Sequence, residues 1–181
     1  TKTPVHEPED WLTLKKCSCH EGSLHRELAS LELLLQKVKG EDVPVVFTVF
    51  SPATTADKLS GKKMLSHIRS GHGEMVKKAL EIITETTMEV AAAIRLGADG
   101  IFFASQMSSY DTMTAEEYME YGRPYDLRVL EAAGDGWLNT LHAHGNNIMF
   151  EVLKDYPVSV FNWHAWETLP DLDEAFCLTG K

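Results

Sequence analysis

Two hydrophobic patterns alternate along the chain, one recurring every three or four residues and one concentrated in short strand-length stretches. Residues 1–21 carry neither and read as a polar, irregular N-terminal segment. Leu24, Leu28, Leu31, Leu35 and Val38 then recur at helical spacing, with Ser23 as the expected N-cap and Gly40 as the stop. VPVVFTVF (43–50) is short, β-branched and apolar on both faces, as a buried parallel strand should be. HGEMVKKALEIITETTMEVAAAIRLG predicts a long helix ended by Gly97, with Met75, Ala79, Ile82, Thr86, Val90 and Ala93 as its inner stripe. The alternation repeats with the strand ADGIFFAS and the helical TAEEYMEYGRPYDLRVLEAAG, broken at Pro124. It continues through the strand LNTLHAHG, the short helix NNIMFEVLKDY, the strand VSVFNWH and the helix LPDLDEAFCLTG, which reaches a glycine C-cap.

Strand–helix alternation of this kind implies a parallel sheet with right-handed crossovers. The fold class is therefore α/β, and four β/α units are half of a (β/α)8 barrel. We expect a single TIM-barrel-type domain over residues 1–181, truncated at both ends and part of a larger protein, since the chain opens on Thr1 and stops just after EAFCLTG. A doubly wound open sheet is the rival, but no G-x-G-x-x-G follows any strand. Half a barrel leaves two exposed strand edges, so the chain is expected either to pair with a second copy through those edges or to be a fragment of a full barrel.

Charge narrows the partners. The formal net charge is -10, and arginine occurs only at positions 26, 69, 95, 123 and 128. Phosphate backbones are held by clustered Lys and Arg, so nucleic acid is not an expected partner. No apolar run approaches the roughly 20 residues of a membrane span. No leader is visible, and Cys17, Cys19 and Cys177 suggest no disulfide framework, so a cytoplasmic location is expected.

In α/β folds ligand groups collect at the carboxyl ends of strands. Four such ends turn polar here: VFSPATT, FASQMSS, LHAHGNN and FNWHAWE. Ser51, Asp57, Ser105, Gln106, Asn162 and His164 are the expected contacts to a small-molecule substrate. Lys58, Tyr110 and Asp111 are weaker candidates. His142 and His144 share a strand face by their i, i+2 spacing. Two imidazoles so placed either contact substrate and neighbouring groups or ligate one ion, typically zinc, with His164 or Glu167 as a third group. The expectation is no cofactor, with zinc as the alternative. Asn146 and Asn147 read as helix N-caps after a turn at Gly145.

Other motifs read as ordinary. Cys17-Ser18-Cys19-His20 has one-residue spacing and no second pair, unlike structural zinc sites. His67 and His72 lie in a loop before the long helix. Glu116, Glu117, Asp171 and Asp173 are helix-start acids favoured by the dipole. No G-x-S-x-G elbow, Walker loop or H-E-x-x-H occurs.

From residue 43 onward VFSPATTADKLSG, GADGIFFASQMSS, YMEYGRPYDLRVLEAA, LHAHGNNIMFEVLKDYPVSVFNWH and LTGK together resemble the uroporphyrinogen decarboxylase superfamily, most of all its bacterial decarboxylase-like branch. The resemblance implies a barrel of about twice this length and, as the main expectation, cofactor-free removal of acetate carboxyls from a tetrapyrrole in porphyrin biosynthesis. Asp57 and Lys58 stand where the family has a tyrosine, and Gln106 lies near the family's serine. The family's N-terminal arginine motif and aspartate would precede this chain, so catalysis is expected of the whole barrel and not of this segment alone. The superfamily also includes cobalamin- and thiol-linked methyltransferases that bind zinc through a His-x-Cys pair. His142 matches their histidine and His144 stands at their cysteine. Zinc-dependent methyl transfer, with a methyl donor as the small-molecule partner, is thus the alternative. A binding barrel without catalysis is a third reading.

Overall fold

The computed structural model describes residues 3–92, 96–134 and 136–181, and in it four strands alternate with helices. Strands β1 (Val46–Phe50), β2 (Gly100–Ser105), β3 (Thr140–Ala143) and β4 (Val160–Asn162) form one parallel sheet in the order β1-β2-β3-β4. Helix α1 (Gly22–Lys37) precedes the sheet. Helices α2 (Pro52–Leu59), α3 (Met64–His67) and α4 (Gly73–Ala91) connect β1 to β2. Helices α5 (Ala115–Tyr121) and α6 (Arg123–Ala133) connect β2 to β3, α7 (Phe150–Leu153) connects β3 to β4, and α8 (Leu172–Thr179) follows. Strand order never reverses, as it would in a doubly wound sheet. The chain is therefore a TIM-barrel-type run of four β/α units.

Register assigns every strand residue to one of two faces, because side chains alternate and paired residues point the same way. Val49, Ile101, Phe103, Leu141 and Ala143 lie on the face toward the helices and are buried. The opposite face carries Val46, Phe50, Phe102, His142, Val160 and Asn162, all exposed or half-buried. The sequence pattern for β1, apolar on both faces, thus does not make a strand buried on both. Its second face looks outward from the packed layer.

Helix α4 packs on α2, α6 and β1. Its buried stripe is Val76, Ala79, Leu80, Ile83, Thr84, Thr87 and Ala91. The stripe read from sequence sits one position away: Met75, Ile82, Thr86 and Val90 are only half-buried, and Ala93 lies outside the described residues. The apolar band of α4 is broad enough for either stripe, and packing against α6 selects the second. Ser23 is not the cap of α1; Glu21 stands there, with no side-chain cap bond. The break between α5 and α6 falls at Gly122, and Pro124 sits in the first turn of α6, where its missing N–H costs nothing. Nor are Asn146 and Asn147 helix caps, because α7 starts only at Phe150, behind Met149.

The segment read as irregular contains a 3-10 helix, Pro8–Thr13. It drives Trp11 fully into the core beside α4, where the indole Nε1 donates to His67 Nδ1 at 2.9 Å. Burial keeps that imidazole pKa below its ordinary value, consistent with a neutral acceptor. A large buried aromatic with its N–H satisfied is a strong anchor, and its lone position among polar residues hid it from pattern reading.

Candidate functional site

The carboxyl ends of β2, β3 and β4 are tied together by their loops. Tyr110 N donates to Asn147 O at 2.8 Å and Met149 N to Ser108 O at 3.0 Å. Ser109 Oγ donates to Asn147 O at 3.0 Å, and Asn146 N donates to Asp111 Oδ2 at 2.8 Å. Thr168 Oγ1 closes the third side, donating to Asn146 O at 2.6 Å. The turn between these bonds needs a glycine: Gly145 has φ +133°, and a Cβ there would come within 2.5 Å of Ser109 Oγ.

This framework groups three imidazoles. The ring centroids of His142, His144 and His164 lie 6.0, 6.2 and 5.7 Å apart pairwise. Phe102 stacks on His142 at 5.3 Å between centroids. Asn162 Oδ1 lies 2.6 Å from His142 Nδ1. With that oxygen as acceptor, Nδ1 carries the proton and Nε2 keeps a free lone pair. His144, His164, Gln106, Asp111 and Glu167 line a shallow pocket of about 420 Å³ beside the rings.

The candidate residues divide by position. His142, His144, His164, Asn162 and Gln106 gather at the open strand ends. Ser51 is buried as the N-cap of α2, accepting from Thr54 N at 3.2 Å. Ser105 is buried on the helix side of the sheet, 3.4 Å from the Tyr118 hydroxyl. Asp57 lies on α2 and does not line this pocket, although burial holds its carboxyl pKa above the ordinary value against Lys62 and Lys58. Lys58 instead covers the Phe50 ring at 4.9 Å. Sequence reasoning missed Phe102, Ser109 and Thr168. The register β2–β3 could have found Phe102, which shares a face with His142; the two loop hydroxyls left no signal.

A histidine metal ligand usually has its outer nitrogen fixed by an acceptor, and the His142–Asn162 contact is of that kind. The donor types therefore fit zinc. Among the described residues, however, no three His, Cys, Asp or Glu side chains are grouped closely enough to hold a metal ion. At most the two strand histidines are available as a partial ligand set.

The whole chain, residues 1–181, matches the profile of the family described as Uroporphyrinogen decarboxylase (URO-D). The chain belongs to that family. Two relatives are similar over most of the chain: methylcobamide:CoM methyltransferase MtbA of Methanosarcina acetivorans is 27% identical over 147 residues, covering 80% of this chain and 43% of the relative. MtbA of Methanosarcina mazei is 26% identical over 147 residues with the same coverage of 80% and 43%. Among solved structures, a methyltransferase from Methanosarcina mazei superposes with a TM-score of 0.84 at 20% identity, over 99% of this chain and 52% of that one. The chain thus spans less than half the length of the curated relatives it matches, and the superposition places its four β/α units within the fold of the URO-D family. None of its described helices is long and apolar enough to cross a membrane.

Proposed function

We propose that this chain supplies strand-end binding residues to a methyl-transfer enzyme of the URO-D family, acting between a methylated corrinoid and a small thiol. The observation that carries the reading is the group of three imidazoles at the ends of β3 and β4, with His142 held by Asn162 and its second nitrogen free. The two methylcobamide:CoM methyltransferase relatives support the same chemistry. His142 and His144 are the residues that would hold zinc, completed by a ligand from outside the described group. Zinc bound there would lower the pKa of an attached thiol, giving a thiolate at neutral pH. Asn162 fixes the His142 tautomer, and Phe102 fixes its ring plane. Gln106, with its backbone N–H anchored on Thr54 Oγ1 at 2.9 Å, presents an amide to the pocket.

Tetrapyrrole decarboxylation, the main expectation from sequence, has less support. A polycarboxylate wants cationic partners, whereas the pocket is lined by Asp111 and Glu167 and by no Lys or Arg. Arg69, which reaches Thr112 O at the pocket rim, is committed to Glu117 at 2.7 Å.

The test is zinc content and methylcobalamin-to-thiol transfer by the protein at its natural length, beside its His142→Ala variant. Near-stoichiometric zinc and transfer, both lost in the variant, are expected. A metal-free wild type, or transfer indifferent to the substitution, would overturn the reading.

A further inference from the structure

Behind the strand ends lies a buried polar cluster that the proposed chemistry does not use. Asp126, on α6, is fully buried. Its Oδ2 accepts from the Tyr118 hydroxyl at 2.5 Å and from the Tyr156 hydroxyl at 3.2 Å. The two hydroxyls are 3.0 Å apart, and both tyrosines are fully buried. The other carboxyl oxygen, Oδ1, is buried with no partner. Tyr118 comes from α5 and Tyr156 from the connection after α7, so the carboxyl joins three segments. Tyr118 also reaches the sheet: its hydroxyl lies 3.4 Å from Ser105 Oγ at the end of β2. The Ser105 carbonyl in turn accepts from His144 N at 3.0 Å and from Ser108 Oγ at 3.4 Å. A hydrogen-bonded line therefore runs Asp126–Tyr118–Ser105–His144, from the helix layer to the strand-end group.

We propose that Asp126 is a positioning residue for the strand-end site, acting through Tyr118 and Ser105 on the backbone that carries His144. The proposal rests on the strand-end histidines being the binding site, but not on the identity of the reaction there. Hydrophobic side chains at these positions would close the helix layer as well, whereas burying an unpaired carboxyl oxygen costs stability, so its presence calls for an explanation. The cations near the cluster act on Tyr156 and not on the carboxyl: Arg123 lies over the Tyr156 ring at 5.9 Å, and Lys181 Nζ donates to Tyr156 O at 3.1 Å. The ionisation of Asp126 is thus set by desolvation, which raises its pKa to about 7, against the two tyrosine hydrogen bonds, which lower it. Its protonation state then couples to the order of the line it anchors. Opening exposes the carboxyl to water and releases its proton, so opening becomes easier as pH rises from the ordinary carboxylate range, about 4, to about 7, and levels off above.

The experiment is amide hydrogen exchange at His144 in the protein at its natural length, from pH 5 to 8, corrected for intrinsic exchange. In the wild type the opening constant should rise up to about tenfold per pH unit to near pH 7 and then flatten. Asp126→Asn, a neutral isostere, should remove that slope. Tyr118→Phe should remove it at His144 while leaving the pH dependence of global melting in place, because Asp126 stays buried. An unchanged slope in either variant would overturn the proposal. If Asp126→Asn does not fold, the Tyr118→Phe comparison decides alone. Neither readout needs methyl transfer or zinc, so failure here is separable from failure of the proposed chemistry.

Discussion

The two faces of the sheet differ in what they are made for. The helix-facing side holds Ile101, Phe103 and Leu141, each with no exposed surface, in one core cluster with residues of α4 and α6 and with the N-terminal Trp11. The other side leaves Val46 and Val160 each 37% exposed and Phe50 41% exposed, and it carries His142 and Asn162. One strand thus serves two purposes with alternate residues. Leu141 holds β3 in place, and His142 uses that fixed position for chemistry. Rigidity on one face lets polar groups on the other keep their geometry without being buried.

Truncation on each face gives the largest test of this division. Phe103→Ala should destabilise the chain by roughly 3–5 kcal/mol in denaturant unfolding, the usual cost of deleting a buried aromatic. Phe50→Ala should cost less than about 1 kcal/mol, because its ring already meets solvent and Lys58. Equal costs in the protein at its natural length would break the comparison, since they would mean that further segments cover the open face.

The second test concerns charge within the helix layer. The folded-state pKa of Asp126 is raised from 3.8 to about 7 by burial. A raised carboxylate pKa means that the folded chain binds more protons than the unfolded one. The contribution is therefore fully present below about pH 4 and is lost as pH climbs to about 7, an effect of up to roughly 4 kcal/mol. Melting temperature should fall with pH across that window in the wild type and stay flatter in Asp126→Asn. Asn162→Ala, on the open face, should leave that slope unchanged. A slope surviving in Asp126→Asn would show that the buried carboxyl is not its source.

A smaller effect is expected at the start of α5. Thr114 Oγ1 accepts from Glu117 N at 3.2 Å while Glu117 Oε2 accepts from Thr114 N at 2.9 Å, a reciprocal cap. Arg69 also holds Glu117, keeping its carboxyl below the usual range. Thr114→Ala should cost about 1 kcal/mol, read as a shift in urea midpoint. A loss above about 2 kcal/mol would mean that the cap also fixes Tyr118, four residues on, and so reaches the sheet.

The same division explains what was legible in the sequence. Element order and the parallel sheet followed from periodicity, because both are written into residues such as Ile101, Phe103 and Leu141 that must be buried. The histidine group followed from i, i+2 spacing and strand-end placement. Ser51 and Ser105, read as substrate contacts, are buried, because a polar residue after an apolar run can equally cap a helix or point back under the layer. Their sequence context is the same in both cases. Asp126, Tyr118 and Tyr156 left no pattern at all, since their contacts join α5, α6 and a distant loop, and only tertiary packing brings them together. Trp11 was lost in the same way. In the URO-D family frame, the residues on which chemistry is proposed were visible, and those that hold them were not.

The smallest effect is expected at α1, the region most unlike the helix layer over β2 and β3. Only Leu31 of this helix is buried, in a small cluster with Val45 and Ala98. Leu33 and Leu34 are 60% and 45% exposed, although the same helix is rich in leucine. A leucine that is already mostly in water has little transfer free energy left to lose. Leu33→Gln should therefore change stability by less than about 0.5 kcal/mol, whereas Leu31→Ala should cost several times that. If Leu33→Gln destabilises as much as Leu31→Ala, the outward face of α1 is packed against something, and the open side of the molecule extends from the sheet face to this helix. A null result would confine the open region to the strands themselves, where His142 and Asn162 stand.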